Sequence, residues 1–152
     1  MKLNSLKSDI LSGFSASSST EIKNLIILLH GYGSWAHDLI SLAPEVDAAI
    51  ANTLFIAPNA PYPCEIAPEF YQWFSLTDYE PNRIKNEISH VSPILSDFIK
   101  EQSQIHHIKP ENIAVLGFSQ GTMVGLYTLL REKEPLAAML GYSGQLIDGA
   151  SL

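Results

Sequence analysis

The sequence predicts an α/β fold, a mostly parallel sheet flanked by helices. Three observations carry this. Four short apolar runs read as strands, stretches with helical spacing of apolar residues alternate with them, and the runs lack polar alternation. A strand without polar alternation is buried on both faces, which is the habit of a parallel sheet with helices on either side.

NLIILLHG (24–31) is the first such run and ends at a glycine. Residues 36–50 follow with Leu39, Ile40, Leu42, Ala43, Val46, Ala49 and Ile50 at helical spacing. Pro44 inside that stretch kinks the helix or restarts it as a first-turn residue. TLFIAPNAP (53–61) is the second strand, stopped by Pro58. Residues 62–80 are aromatic-rich and show no sustained period, so a long loop is expected there, and long loops in compact domains are often functional. Ile84, Ile88, Val91, Leu95, Phe98 and Ile99 line one face of a helix over 81–104, bent at Pro93. IAVLGF (113–118) is the third strand, residues 120–133 a helix stopped by Pro135, and LAAMLGYSG (136–144) the fourth strand. Residues 8–23 are expected to add an antiparallel edge strand or two. No repeat, low-complexity tract or linker divides the chain, so one domain is expected across 1–152.

Composition narrows the function. The formal charge of −7 and the pI near 5.1 argue against nucleic acid as the main partner. Cys64 is the one cysteine, so no internal disulfide can form. The N-terminus lacks an uninterrupted apolar segment of the signal-peptide kind, and LIILL (25–29) is far too short to span a bilayer. A cytoplasmic protein without a membrane span is expected.

Chemistry enters at Gly117-Phe118-Ser119-Gln120-Gly121, a G-x-S-x-G. The bare pattern arises by chance in roughly one chain in 20 of this length. Its setting, a strand before and a helix after, is what a nucleophilic serine on a sharp strand-to-helix turn requires. Ser119 would then sit at a helix N-terminus, where free N–H groups favour developing negative charge. His30-Gly31-Tyr32-Gly33, at the end of the first strand, is the second signal. Acyl transfer needs two backbone donors for the oxyanion, one from the residue after the serine and one from the loop after an earlier strand. That assigns the Gln120 and Tyr32 N–H groups. A plain glycine-rich turn at each place is the bland alternative.

LLHGYG, FIAPNAP, QWF at 72–74, GFSQG and GYSG occur in the order found in the phospholipase/carboxylesterase family of α/β-hydrolases, which includes bacterial carboxylesterases and acyl-protein thioesterases. The chain resembles that family over roughly residues 20–146. The resemblance implies an α/β-hydrolase fold and a serine hydrolase of carboxylic esters or thioesters, with an acyl chain held in an apolar groove. It implies Ser119 as nucleophile, Tyr32 and Gln120 as oxyanion donors, and Trp73 near the substrate. No metal and no cofactor are expected. One departure is visible: where the family often has an acidic residue after the W-[FY] pair, this chain has Ser75.

A serine needs a base, and in this fold the order is serine, acid, histidine. His30, His37, His90, His106 and His107 all precede Ser119, and Asp148 is the sole aspartate after it. The resemblance implies two further strands carrying acid and base, so a C-terminally incomplete hydrolase is expected. His30 belongs to the oxyanion-loop motif. His106 and His107 are adjacent and would diverge by about 100° on a helix, a poor metal pair. Cys64, without a basic neighbour in sequence, reads as structural. Two functions follow: a serine hydrolase with half its machinery, or a non-catalytic remnant that binds an acyl ligand or a protein partner. A nucleotide-binding unit is disfavoured because neither G-x-G-x-x-G nor G-x-x-x-x-G-K-[ST] occurs. The fourth strand would be an open apolar edge, a pairing hazard that favours self-association.

Overall fold

The computed structural model describes residues 1–151. All four expected strands form: β3 (Asn24–Leu29), β4 (Thr53–Pro58), β7 (Ile113–Phe118) and β8 (Ala138–Tyr142). With β1 (Lys2–Ser5) and β2 (Gly13–Ser17) they make a six-stranded sheet in the order β1-β2-β4-β3-β7-β8. β4, β3, β7 and β8 run parallel, and β1 and β2 are antiparallel additions at one border. The expected edge strand within 8–23 is β2, whereas β1 lies outside that window. Its four residues KLNS are all exposed and offer no apolar signal.

Strand geometry sorts side chains onto two faces. Leu25, Ile27 and Leu29 of β3, Leu54 and Ile56 of β4, and Ile113 and Val115 of β7 meet the buried stripe of α3 (Pro81–His106) and the inner side of α4 (Gln120–Leu129). Ile26, Leu28, Phe55 and Ala57 face the short helices α1 (Ala36–Ile40) and α2 (Ala43–Asp47). Pro44 restarts the helix, being an early residue of α2. α3 runs through Pro93 and ends at His107, whose φ of 54° is left-handed. α4 stops at Leu129, short of the expected 133, as its last turn tightens to i→i+3 bonds from Arg131 N–H and Glu132 N–H.

The loop expected over 62–80 is corrected. Residues Tyr62–Cys64 (β5) and Ala67–Gln72 (β6) form an antiparallel hairpin with a register shift at Pro63/Cys64. Pro61, Pro63 and Pro68 read as strand breakers, but a two-stranded ribbon is all edge, and an edge tolerates proline where no ladder N–H is needed. The hairpin is tied to the loop after β3: Gly33 N–H donates to Tyr71 O at 3.0 Å and Tyr71 N–H to Ser34 O at 2.9 Å.

Helices cover β3 and β4 on both faces, but not the outer end of the sheet. Register places Ala114 opposite Ala138, Leu116 opposite Leu140 and Phe118 opposite Tyr142. These pairs share the face of Ile26 and Leu28, where Ala114 and Leu116 are half-buried against the core cluster and the β8 side is more open. Phe118 is 47% exposed, Leu140 44% and Tyr142 54%.

After β8 the chain folds back over α3 and α4. Asp148 joins them, with Lys85 Nζ at 3.0 Å and an Arg131 nitrogen at 3.2 Å. Arg131 also stacks 3.8 Å above the Tyr127 ring. Hydrogen bonding from Ser151 and Lys85, with the charges of Lys85 and Arg131, holds the Asp148 carboxyl below its usual value of 3.8. A lowered folded-state pKa contributes stability that is complete above the unfolded value and lost as pH falls through the folded one. Asp148→Asn should therefore lower the urea midpoint at pH 7, and the difference from wild type should shrink as pH falls below 3.8 through the lowered folded-state pKa.

Candidate active site

Ser119 connects β7 to α4 with φ 51° and ψ −114°, a conformation that L-residues rarely adopt. Such strain costs about 1–3 kcal/mol and persists only where surrounding bonds over-determine it. Here Ser119 N–H donates to Tyr142 O at 2.8 Å, and Ser119 O accepts from Thr122 N–H at 3.0 Å and Met123 N–H at 3.2 Å. The Thr122 hydroxyl lies 2.7 Å from Gly117 O and 2.9 Å from Tyr142 O, and accepts from Tyr142 N–H at 3.0 Å. Gly121 is required by a close approach: a Cβ there would stand 2.1 Å from Leu29 O. The helix start can thus press against the end of β3.

That approach brings the 31–33 loop to the serine. A Cβ on Gly31 would stand 3.3 Å from the Ser119 Cβ. Gly33 has φ 67°, the left-handed region, and turns the chain above the buried Cys64. Neither the Tyr32 nor the Gln120 N–H donates to a protein group among the described residues. A shallow depression of about 270 Å³ opens over the serine, lined by Leu76, Tyr79, Ser119, Gln120, Met123 and Gly144 among others.

A buried hydrogen-bond chain supports this corner. Ala60 N–H donates to His30 Nε2 at 2.9 Å, and His30 Nδ1 lies 2.7 Å from Gly31 O. Nε2 accepts, so Nδ1 carries the proton and donates. Trp73 Nε1–H donates to His30 O at 2.9 Å, and Trp73 N–H to Gln120 Oε1 at 2.8 Å. Gln120 Nε2 donates to Phe74 O at 2.6 Å. His30 and Trp73 have no exposed surface, and Gln120 has 1%. Trp73, expected near the substrate, is thus enclosed beneath the site and braces it.

The histidines are elsewhere engaged. Burial pushes the His30 imidazole below 6.5 against the opposing pull of the Gly31 carbonyl, and both ring nitrogens are committed. It is a neutral strut. His37 stacks on Trp35 with centroids 5.2 Å apart, and His90 bonds Asn86 O at 2.8 Å. His106 and His107 sit at the C-terminal end of α3.

Sequence reasoning missed the carboxylates at position 75. Glu65, from the turn between β5 and β6, accepts from Ser75 Oγ at 3.2 Å, and Glu87 of α3 accepts from Ser75 N–H at 2.6 Å. No local pattern marked either one. It also missed the side chain of Gln120, whose polarity at a buried first-turn position was the available signal. Gln120→Leu leaves Trp73 N–H and Phe74 C=O unpaired in the interior, at about 1–3 kcal/mol each. The variant should lose about 2–6 kcal/mol in chemical denaturation.

Comparison with known proteins agrees with this architecture. Residues 14–152 match the phospholipase/carboxylesterase family. Acyl-protein thioesterase 1 of Kluyveromyces lactis is 28% identical over 137 residues, covering 85% of this chain and 60% of that protein. The Candida albicans acyl-protein thioesterase 1 is 29% identical over 134 residues, covering 80% and 57%. The crystal structure of esterase PE8 superposes with a TM-score of 0.88 at 36% identity, over 93% of this chain and 67% of that one. A carboxylesterase from Mesorhizobium loti shares the fold with a TM-score of 0.75 at 18% identity, over 95% and 66%. The chain spans about three fifths of the length of the curated relatives it matches. With the strand-turn-helix at Ser119, the glycine loop packed beside it and a match over residues 14–152, this chain belongs to the phospholipase/carboxylesterase family, with the α/β-hydrolase fold.

Proposed function

We propose that this chain carries the nucleophile and oxyanion half of a serine hydrolase acting on carboxylic esters or thioesters. The observation that supports it most is the strained backbone of Ser119 at the head of α4, with Gly31 packed against it. Ser119 Oγ attacks the acyl carbonyl, and the electron pair displaced onto the carbonyl oxygen is received by the Tyr32 and Gln120 N–H groups. Collapse expels the alcohol or thiol and leaves an acyl-enzyme on Ser119, which water hydrolyses. Leu76 and Met123 offer apolar wall to the acyl group. Trp73 serves this reading as the brace that fixes those walls.

The Ser119 proton needs an acceptor. Among the described residues no imidazole bonds to it, and the Asp148 carboxylate is held by Lys85, Arg131 and Ser151. In this reading the acid and base come from outside residues 1–151, on a longer product or a second polypeptide. The engagement of His30 and Asp148 favours a second reading, a non-catalytic binder of an acyl ligand or a protein. A fluorophosphonate probe separates the two. Mass spectrometry should find a slow adduct on Ser119 that Ser119→Ala abolishes; an unlabelled wild-type chain would sink the hydrolase reading.

We further infer that copies of this chain self-associate at β8, where an unpaired edge adjoins the exposed Leu140 and Tyr142. Sedimentation should show concentration-dependent oligomers that the double substitution Leu140→Lys and Tyr142→Lys suppresses. A wild-type chain monomeric at high concentration would refute this.

A further inference from the structure

One carboxylate ties the 31–33 loop to the Ser75–Leu76 segment beside the depression over Ser119. Glu65 Oε1 accepts from the Tyr32 hydroxyl at 3.0 Å, from Leu76 N–H at 3.0 Å and from Ser75 Oγ at 3.2 Å. Its Oε2 accepts from Gln72 Nε2 at 3.3 Å, and its own N–H donates to Gln72 Oε1 at 3.0 Å. Gln72 is a buried residue of β6, so these bonds hold the turn that carries Glu65 to the base of its own hairpin. The contacts fall on two separate segments. Tyr32 belongs to the 31–33 loop, which packs beside Ser119, and Leu76 lines the depression over the serine.

Tyr32 is the residue whose amide has to aim at a developing oxyanion. Its peptide is flanked on one side by Gly31, pressed on Ser119, and on the other by Gly33, bonded to Tyr71 O. The glycines allow the chain to turn there but supply no side-chain hold of their own. The hold comes from the Tyr32 side chain, which is pinned at its tip by Glu65. Charge-assisted bonds to a carboxylate are about twice as strong as neutral ones. Although desolvation pushes the other way, the bonds from Leu76, Gln72, Ser75 and Tyr32 hold the Glu65 carboxyl below its ordinary value, so it is ionised at neutral pH.

We propose that Glu65 is a positioning residue for ester cleavage, fixing the Tyr32 amide relative to Ser119 by clamping the Tyr32 hydroxyl and the Ser75–Leu76 wall to one carboxylate. The catalytic part of this rests on the hydrolase reading above. Glu65 touches no reacting atom. It acts through the orientation of an amide, and a misplacement of about 1 Å at such a group can cost about a hundredfold in rate.

The test uses the whole chain as wild type, Glu65→Ala and Glu65→Gln. Amide hydrogen exchange at Gly33 and Tyr71, whose bonds tie the 31–34 loop to the hairpin, reads the clamp without reference to activity. Saturation kinetics of fluorophosphonate labelling separate the maximal rate from the half-saturating concentration. In Glu65→Ala, exchange at both amides should accelerate about tenfold or more while β3 and β7 amides keep their protection. The maximal labelling rate should fall about 10–100-fold at an unchanged half-saturating concentration. Glu65→Gln keeps an acceptor oxygen and should recover most of both losses. Unchanged exchange in Glu65→Ala overturns the proposal, as does faster exchange with an undiminished maximal rate. If the wild type is not labelled at all, the hydrolase reading fails with its catalytic corollary, and the exchange data alone decide whether Glu65 holds the loop.

Discussion

The buried hydrogen-bond chain from Ala60 through His30 and Trp73 to Gln120 is the constraint on which the site depends. It joins the end of β4, the end of β3, the exit of the hairpin and the first turn of α4. Each of these segments ends in irregular backbone, whose polar groups would otherwise be stranded in the interior. Water is excluded at 0–1% exposure, so each bond is worth more than it would be at the surface, and each missing one costs more. An apolar residue at 30, 73 or 120 would fill the space but leave the backbone unanswered. The polar residues are there because loops, not helices or strands, converge at that point.

With that scaffold in place, strain can be localised. Ser119 carries an unfavourable φ, but its neighbours on both sides are held by strand pairing and by the Thr122 hydroxyl. Gly121 adds the close contact with Leu29 O that positions the helix N-terminus. The energy stored in one residue is small beside the burial around it, and it is held at the place where a hydroxyl must project.

Much of this was legible in the sequence. Unbroken apolar runs such as NLIILL and TLFIAP, each short and bounded by turn residues, read as strands covered on both sides, and the helical stripe Ile84–Ile88–Val91–Leu95 marks the face that α3 buries. G-x-S-x-G and HGYG carried the serine corner because the glycine spacing is a local mark, even though Gly121 answers Leu29 O and Gly31 answers Ser119 across the fold. Legibility failed where a contact between distant segments leaves no such mark. The β5–β6 hairpin hid behind its lack of a sustained period, β1 behind its polarity, and Glu65 behind the lack of any local pattern that ties a turn carboxylate to Tyr32 and Leu76. His30 was seen as part of a motif, but its two bonds depend on where Ala60 and Gly31 fall in space.

The bond from Ser119 N–H to Tyr142 O has a further consequence. Tyr142 ends β8, the outermost strand, and the outermost strand of a sheet opens first in local fluctuations. When it frays, the serine's amide loses its acceptor and the Thr122 hydroxyl is left with Gly117 O alone, and the corner is free to relax toward ordinary backbone angles. The stiffness of the Ser119 corner is therefore borrowed from the border of the sheet. A ribbon added along that border would tighten the hinge at residue 119 as well.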